Sequence, residues 1–223
     1  MRTSPAEATT GVILRTRPLT ETSLIVQWLT EGAGRISTVA KGARGPRSPF
    51  RGKLDLFHVA DLTFRRSRRS DLHTLAEVGL KETHPALRTD WRRLTRAAYG
   101  VALIEQSTEA DTPIPETYRL FLGFLGHVHG GEAAPWSVLA LELKHLAEMG
   151  MVPDLERASL PDESRGLGTA LLGTDWDGIG RLDAAPAAVV PLARFLQGFL
   201  IFHLGRLPRG RAEALQAVDR TRA

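Results

Sequence analysis

The chain contains no cysteine. That absence excludes disulfides and any zinc site built on cysteine thiolates. Uninterrupted apolar runs of membrane-spanning length are also missing, because charged residues, His or Gly recur throughout. The N-terminal MRTSPAEATTG lacks the apolar core of a signal peptide, so a cytoplasmic protein with no membrane partner is expected. Phosphate-binding motifs fail on inspection. Gly45 and the Gly52-Lys53 pair are separated by six residues rather than four, and Leu54 stands where a magnesium-binding hydroxyl belongs. Gly178-Ile-Gly180 is followed by Asp183 where a dinucleotide fingerprint needs glycine. Asp175-Trp-Asp177 opens like a calcium loop without the later ligands. Glu142 and His145 form one Glu-x-x-His pair, read as a solvated or partly packed helix face rather than half a di-iron site. His127 and His129 read as surface histidines, and no Gly-x-Ser-x-Gly elbow is present. Nothing points to an enzyme, a metal or a cofactor.

What is present is an uneven charge. Residues 1–82 hold 14 Lys and Arg against 8 Asp and Glu, whereas residues 83–223 hold 15 against 17. The basic excess therefore belongs to the N-terminal part, the electrostatic footprint of a polyanion binder. Between Arg35 and Arg69 the tally is 10 basic residues against Asp55 and Asp61 alone. Arg157, Arg209 and Arg211 are positives remote from that region in the sequence.

Periodicity divides the chain in two. GVILRTR (11–17), SLIVQWLT (23–30), GRISTVAK (34–41), FHVADLTFRR (57–66) and LHTLAEVGL (72–80) are rich in β-branched and aromatic residues and are separated by turn signals. Five short strands predict a small OB-type barrel over residues 1–82, with a sandwich as the alternative closure. From residue 83 the period becomes helical. Leu87, Trp91, Leu94, Ala98, Val101 and Leu103 mark one inward stripe; Tyr118, Phe121, Leu122, Leu125 and Val128 mark a second behind Pro115. Trp136, Leu139, Leu143 and Leu146 mark a third, capped by Gly150. Residues 155–187 read as irregular, and a last apolar helix covers about 189–204. The expected fold class is α+β, a barrel domain (1–82) followed by a helical domain (83–223).

The stretch KGARGPRSPFRGKL (41–54) carries Lys41, Arg44, Arg47, Arg51 and Lys53 with no acid among them. Its glycines let backbone N–H groups approach phosphates, but a solvated connector would look the same. Arg65, Arg66, Arg68 and Arg69 form a second cluster between the last two strands, where OB folds often bind oligonucleotides. Arg35, with Arg15 and Arg17, extends the candidate surface. Trp28 and Phe64 read as core among the aromatics; Phe57 and especially Phe50, inside the loop, are the candidates for stacking on bases. On charge alone, an RNA-binding module and a protein-interaction scaffold remain open beside DNA binding.

The order GVILR, ETSLIVQWLT, GRISTVAKGARGPRS, LHTLAEVGLKETHPALR, AAYGVALIEQ and the late HLGR (203–206) resembles the RecO family of bacterial recombination mediators. That resemblance implies an OB barrel followed by helices and an ATP-independent activity. It implies binding of single- and double-stranded DNA and annealing of complementary strands. It also implies partners: RecR, and the acidic, apolar-ended C-terminal tail of the single-stranded DNA-binding protein, SSB. The family's zinc-binding cysteines are absent, with Ala158 and Pro161 where a Cys-x-x-Cys pair would begin, so residues 155–185 are a cysteine-free remnant. With the resemblance in place, the ten residues Arg35, Lys41, Arg44, Arg47, Arg51, Lys53, Arg65, Arg66, Arg68 and Arg69 are the expected DNA contacts.

Overall fold

A computed structural model describes residues 5–131 and 134–216. The chain divides into two compact units, Met1–His84 with Glu109–Arg119, and Pro85–Thr108 with Leu120–Ala223.

The first unit is a closed barrel of β1 (Ala6–Pro18), β2 (Leu24–Thr30), β3 (Gly34–Ala40), β4 (Val59–Arg65) and β5 (Leu72–Glu82), in the order β1-β2-β3-β5-β4. β1 is long enough to pair antiparallel with β2 on one side and β4 on the other. β3 closes onto β5 in parallel through Ser37–Leu72, Thr38–His73 and Val39–Thr74. This is the OB-type closure, and it leaves no free sheet edge. Alternation builds the interior: Ala60, Leu62 and Phe64 of β4 point in while Asp61 faces solvent. A register shift between Ile13 and Arg15 interrupts the alternation in β1, so Val12, Ile13 and Leu14 are all buried. Trp28 fills the centre and donates its indole N–H to Thr38 Oγ1 at 2.9 Å, which satisfies both buried polar atoms.

The second unit contains α1 (Ala86–Thr89), α2 (Trp91–Ser107), α4 (Pro135–Glu148), α5 (Asp162–Gly173), α6 (Trp176–Arg181), α7 (Pro186–Leu204), α8 (Arg211–Ala214) and most of α3 (Pro115–Gly130). Asp90 caps α2 by accepting from the amides of Arg92 and Arg93. Gly150, at φ +71°, closes α4, with its N–H on Ala147 O and the Met151 N–H on Leu146 O. Helix α4 is buried nearly all round, from Val138 to Leu146. Glu142 is inside that helix, fully buried, and receives Arg211 Nε at 2.7 Å, Arg211 Nη2 at 2.9 Å and the Tyr99 hydroxyl. Burial, with the Glu142 carboxylate behind it, pushes the Tyr99 phenol well above its ordinary pKa.

Several expectations are corrected here. Residues 155–187 are not irregular throughout: α5 and α6 occupy Asp162–Gly173 and Trp176–Arg181, and Gly168 and Gly178 are sites of close approach. A side chain at Gly168 would meet Leu155 Cδ1 at 2.7 Å and Leu192 Cδ1 at 3.4 Å. Leu87, Val101 and Leu103 are buried as expected, but Trp91, Leu94 and Ala98 are exposed, and α2 turns Ala97 and Ile104 inward in their place. Glu142 and His145 are core residues, not a solvated face, and Arg211 is a buried partner rather than a loose positive. His127 and His129 are half-buried; His127 Nε2 lies 2.8 Å from Ser137 Oγ and its ring stacks on Trp176. Among the described residues one helix, α7, is by length and composition apolar enough to cross a membrane, with Arg194 as its one charged residue. Ala188, Leu192, Leu196 and Leu200 are buried along one face of α7, while Val190, Ile201 and Phe202 are exposed.

Candidate nucleic-acid interface

The loop that follows β3 is a chain of tight turns rather than a slack tether. Backbone N–H groups of Ala43, Gly45, Ser48, Arg51 and Lys53 each reach back to the carbonyl three residues earlier. Gly42 and Gly52 hold φ near +70°, a conformation that costs glycine little. Phe50 pins the loop by entering the barrel core at 6% exposure, with Ala43 and Leu54 packed beside it. The turn after β1 grips it from outside: Arg44 N–H donates to Thr22 O at 2.9 Å, and Arg44 Nη1 to Thr20 O at 3.1 Å.

This scaffold sorts the five loop cations. Lys53 is half-buried and straps the loop to β5 through Val78 O at 3.0 Å. Lys41, Arg44, Arg47 and Arg51 are exposed. Arg51 Nη1 rests on Pro46 O at 3.4 Å, and among the described residues neither Lys41 nor Arg47 has a carboxylate partner. A cavity of about 490 Å³ opens between the loop and the start of β2, with Arg44 and Arg51 on its rim.

The second cluster is differently built. Arg66 is half-buried, bonded through Nε to both Glu7 oxygens at 3.0 and 3.1 Å and through Nη1 to Asp111 Oδ1 at 2.6 Å. Its guanidinium also stands over the Phe64 ring at 5.6 Å. His73 Nε2 approaches the same Asp111 oxygen at 3.0 Å, while its Nδ1 accepts from the Ser67 amide. Asp111 takes φ +57°, and its N–H donates to Arg35 O at 2.8 Å. Arg65, Arg68 and Arg69 are exposed around this ion-paired node.

The ten cations do not converge on one patch. Because β3 and β5 run parallel in register, the Arg66–Ser70 turn emerges beside the start of β3, with Arg35. The 41–54 loop leaves the opposite end of β3. Seven strand residues at about 3.3 Å each separate the two clusters by roughly 20 Å. Arg17, opposite Ile25 at the start of β2, lies on the loop's side. Among the described residues no aromatic candidate is exposed at either end: Phe50 and Phe57 are 6% and 2% exposed, and Trp28 and Phe64 are core. Sequence reading missed Glu7, His73 and Asp111, since nothing local marks Asp111 as a barrel residue from the segment Glu109–Arg119. A zinc ion does not fit: the chain has no thiolate, and among the described residues no three His, Asp or Glu converge.

A closed barrel with basic ends, followed in the chain by a helical unit, defines the class: an OB-fold protein. Residues 1–84 match the family model described as "Recombination protein O N terminal", and residues 88–160 match "Recombination protein O C terminal". Similar proteins carry the name "DNA repair protein RecO". In Anaeromyxobacter dehalogenans identity is 31% over 201 residues, covering 86% of this chain and 79% of the relative. In Laribacter hongkongensis it is 30% over 214 residues, covering 86% of each. Against the Rhodopirellula baltica protein it is 32% over 150 residues, 67% of this chain but only 56% of the relative's length. The chain belongs to the RecO family.

Proposed function

We propose that this protein is a DNA-binding recombination mediator of DNA repair. It anneals complementary strands and, with RecR, helps load recombinase onto SSB-coated single-stranded DNA. The observation that carries the reading is the pinned loop presenting Lys41, Arg44, Arg47 and Arg51 to solvent, in a chain whose family relatives are named DNA repair proteins. Cations held on a preordered backbone lose less entropy on meeting phosphates than the same charges on a slack segment. Single- and double-stranded DNA both offer such phosphates. No covalent step is required, so the activity is not enzymatic and needs no ATP. The RecR and SSB-tail partnerships rest on the family resemblance.

The test is an annealing assay with complementary DNA strands, with and without SSB, beside binding to matched RNA strands. Annealing without nucleotide supports the reading. Single-strand affinity should fall with salt at a log–log slope of about −3 for four neutralised phosphates. A slope near zero, or binding to RNA alone, overturns it. Calorimetry with an SSB tail peptide at low salt tests that partner separately.

A further inference from the structure

The cavity beside the loop is more than a gap between charged side chains. Its floor is apolar, made by Leu24, Ala43, Leu54 and the edge of Phe50, all packed on the barrel core. Its rim carries two guanidiniums, each with one N–H spent on a carbonyl: Arg44 on Thr20 O and Arg51 on Pro46 O. Each retains further donors directed by the same fork. Gly45 and Gly52 add backbone without a side chain, and a Cβ at Gly52 would meet nothing within 4 Å. Asp55 closes the rim and holds the Leu56 amide at 2.8 Å.

We infer that this pocket receives one unstacked nucleotide of a DNA strand, its base on the apolar floor and its phosphate between Arg44 and Arg51. The inference rests on the proposed DNA-binding function and deepens it. A bare anion would leave the apolar floor wet. An uncharged apolar ligand would leave both guanidiniums without an anion. The cavity, at about 490 Å³, falls within the range of small-ligand sites (roughly 300–1,000 Å³) and exceeds what a phosphate needs. Only an unpaired strand supplies such a base freely, since a duplex must first unstack and unpair it. The pocket thereby gives the loop a preference for single strands that charge alone would not confer, and it does so without an exposed aromatic side chain.

The test begins with the unaltered full chain. Methyl-labelled protein is titrated with dAMP, with inorganic phosphate and with acetyl-phenylalanine. Saturable shifts of the Leu24, Ala43 and Leu54 methyls with dAMP alone are expected. Equal shifts with phosphate or with acetyl-phenylalanine, or none with dAMP, overturn the inference. Ala43→Leu then fills the floor while leaving every cation in place. It should weaken binding of an oligothymidylate about tenfold, the range of one base contact, and leave duplex affinity unchanged. If Ala43→Leu binds single strands as tightly as the parent, or loses single strand and duplex alike, the pocket takes no base. A parent protein that binds DNA with a steep salt slope keeps the proposed function alive through either result.

Discussion

The indole of Trp176 lies where a side chain at residue 123 would stand. A Cβ built on Gly123 of α3 would come within 2.5 Å of Trp176 Nε1 and 2.6 Å of its Cδ1. The same indole packs on Phe124 and His127, so the start of α6 is seated on α3 by one aromatic wedge. Gly123→Ala should therefore destabilise the protein despite the better helix propensity of alanine. Overpacking costs about 1–3 kcal/mol against the roughly 1 kcal/mol gained. Urea unfolding read by tryptophan fluorescence measures it; a midpoint at or above that of the parent sinks the wedge.

Because α5 and α6 are held by packing, the region needs no metal. Purified protein should contain no stoichiometric zinc, and dialysis against chelator should leave its melting temperature unchanged. Elemental analysis returning one zinc per chain after chelation would contradict this.

Arg211 and Glu142 form a buried pair, 5% and 0% exposed. Removing one partner strands a charge without water, a loss of roughly 3–5 kcal/mol. Arg211→Ala should lower stability by that order in denaturant titration, and by far more than Arg157→Ala, whose side chain is 90% exposed. Equal effects would show that the pair does not hold α8 to the core.

Burial holds His145 neutral, its pKa pushed down from 6.5 to about 4. The unfolded chain binds a proton near pH 6.5 that the folded chain refuses. Stability from this site is thus complete above about pH 6.5 and is lost as pH falls towards 4, by at most about 1.4 kcal/mol per pH unit. Its Nε2 stands 2.6 Å from Ser107 Oγ, a contact an amide can keep. Melting temperatures of His145→Gln should fall less steeply than those of the parent between pH 6.5 and 4. Parallel profiles would remove His145 as the cause.

Changing Lys41, Arg44 and Arg47 together to Ala should weaken DNA binding and flatten the single-strand salt slope by roughly two units. The fold should survive, since exposed charges add little to stability. Arg157, Arg206 and Arg209, all exposed, form the matched control; Arg211 cannot serve because it is buried. Equal weakening in both triple variants would mean a diffuse field rather than a site at the loop.

Much of the architecture was legible in one dimension. A period of two in β4, turn residues between strands and a helical period after residue 83 follow from local chemistry, and they specify strands, helices and their order. Closure was legible only through the number and shortness of the strands; the parallel β3–β5 contact that makes the barrel is a pairing between distant segments. The glycines of 155–187 misled because a glycine that loosens a coil and one that, like Gly168, admits Leu155 look alike in sequence.

The candidate site divides the same way. Composition alone determined that the N-terminal part is basic and that the 41–54 loop carries five cations and no acid. Tertiary structure decided which of them face solvent. It turned Phe50 into the barrel, strapped Lys53 to Val78, bound Arg66 to Glu7 and Asp111, and set the two basic clusters at opposite ends of β3. Charge is a property of each residue and can be counted along a chain. Availability depends on what the other residues bring within about 3 Å, and those partners came from positions 25 to 59 residues away.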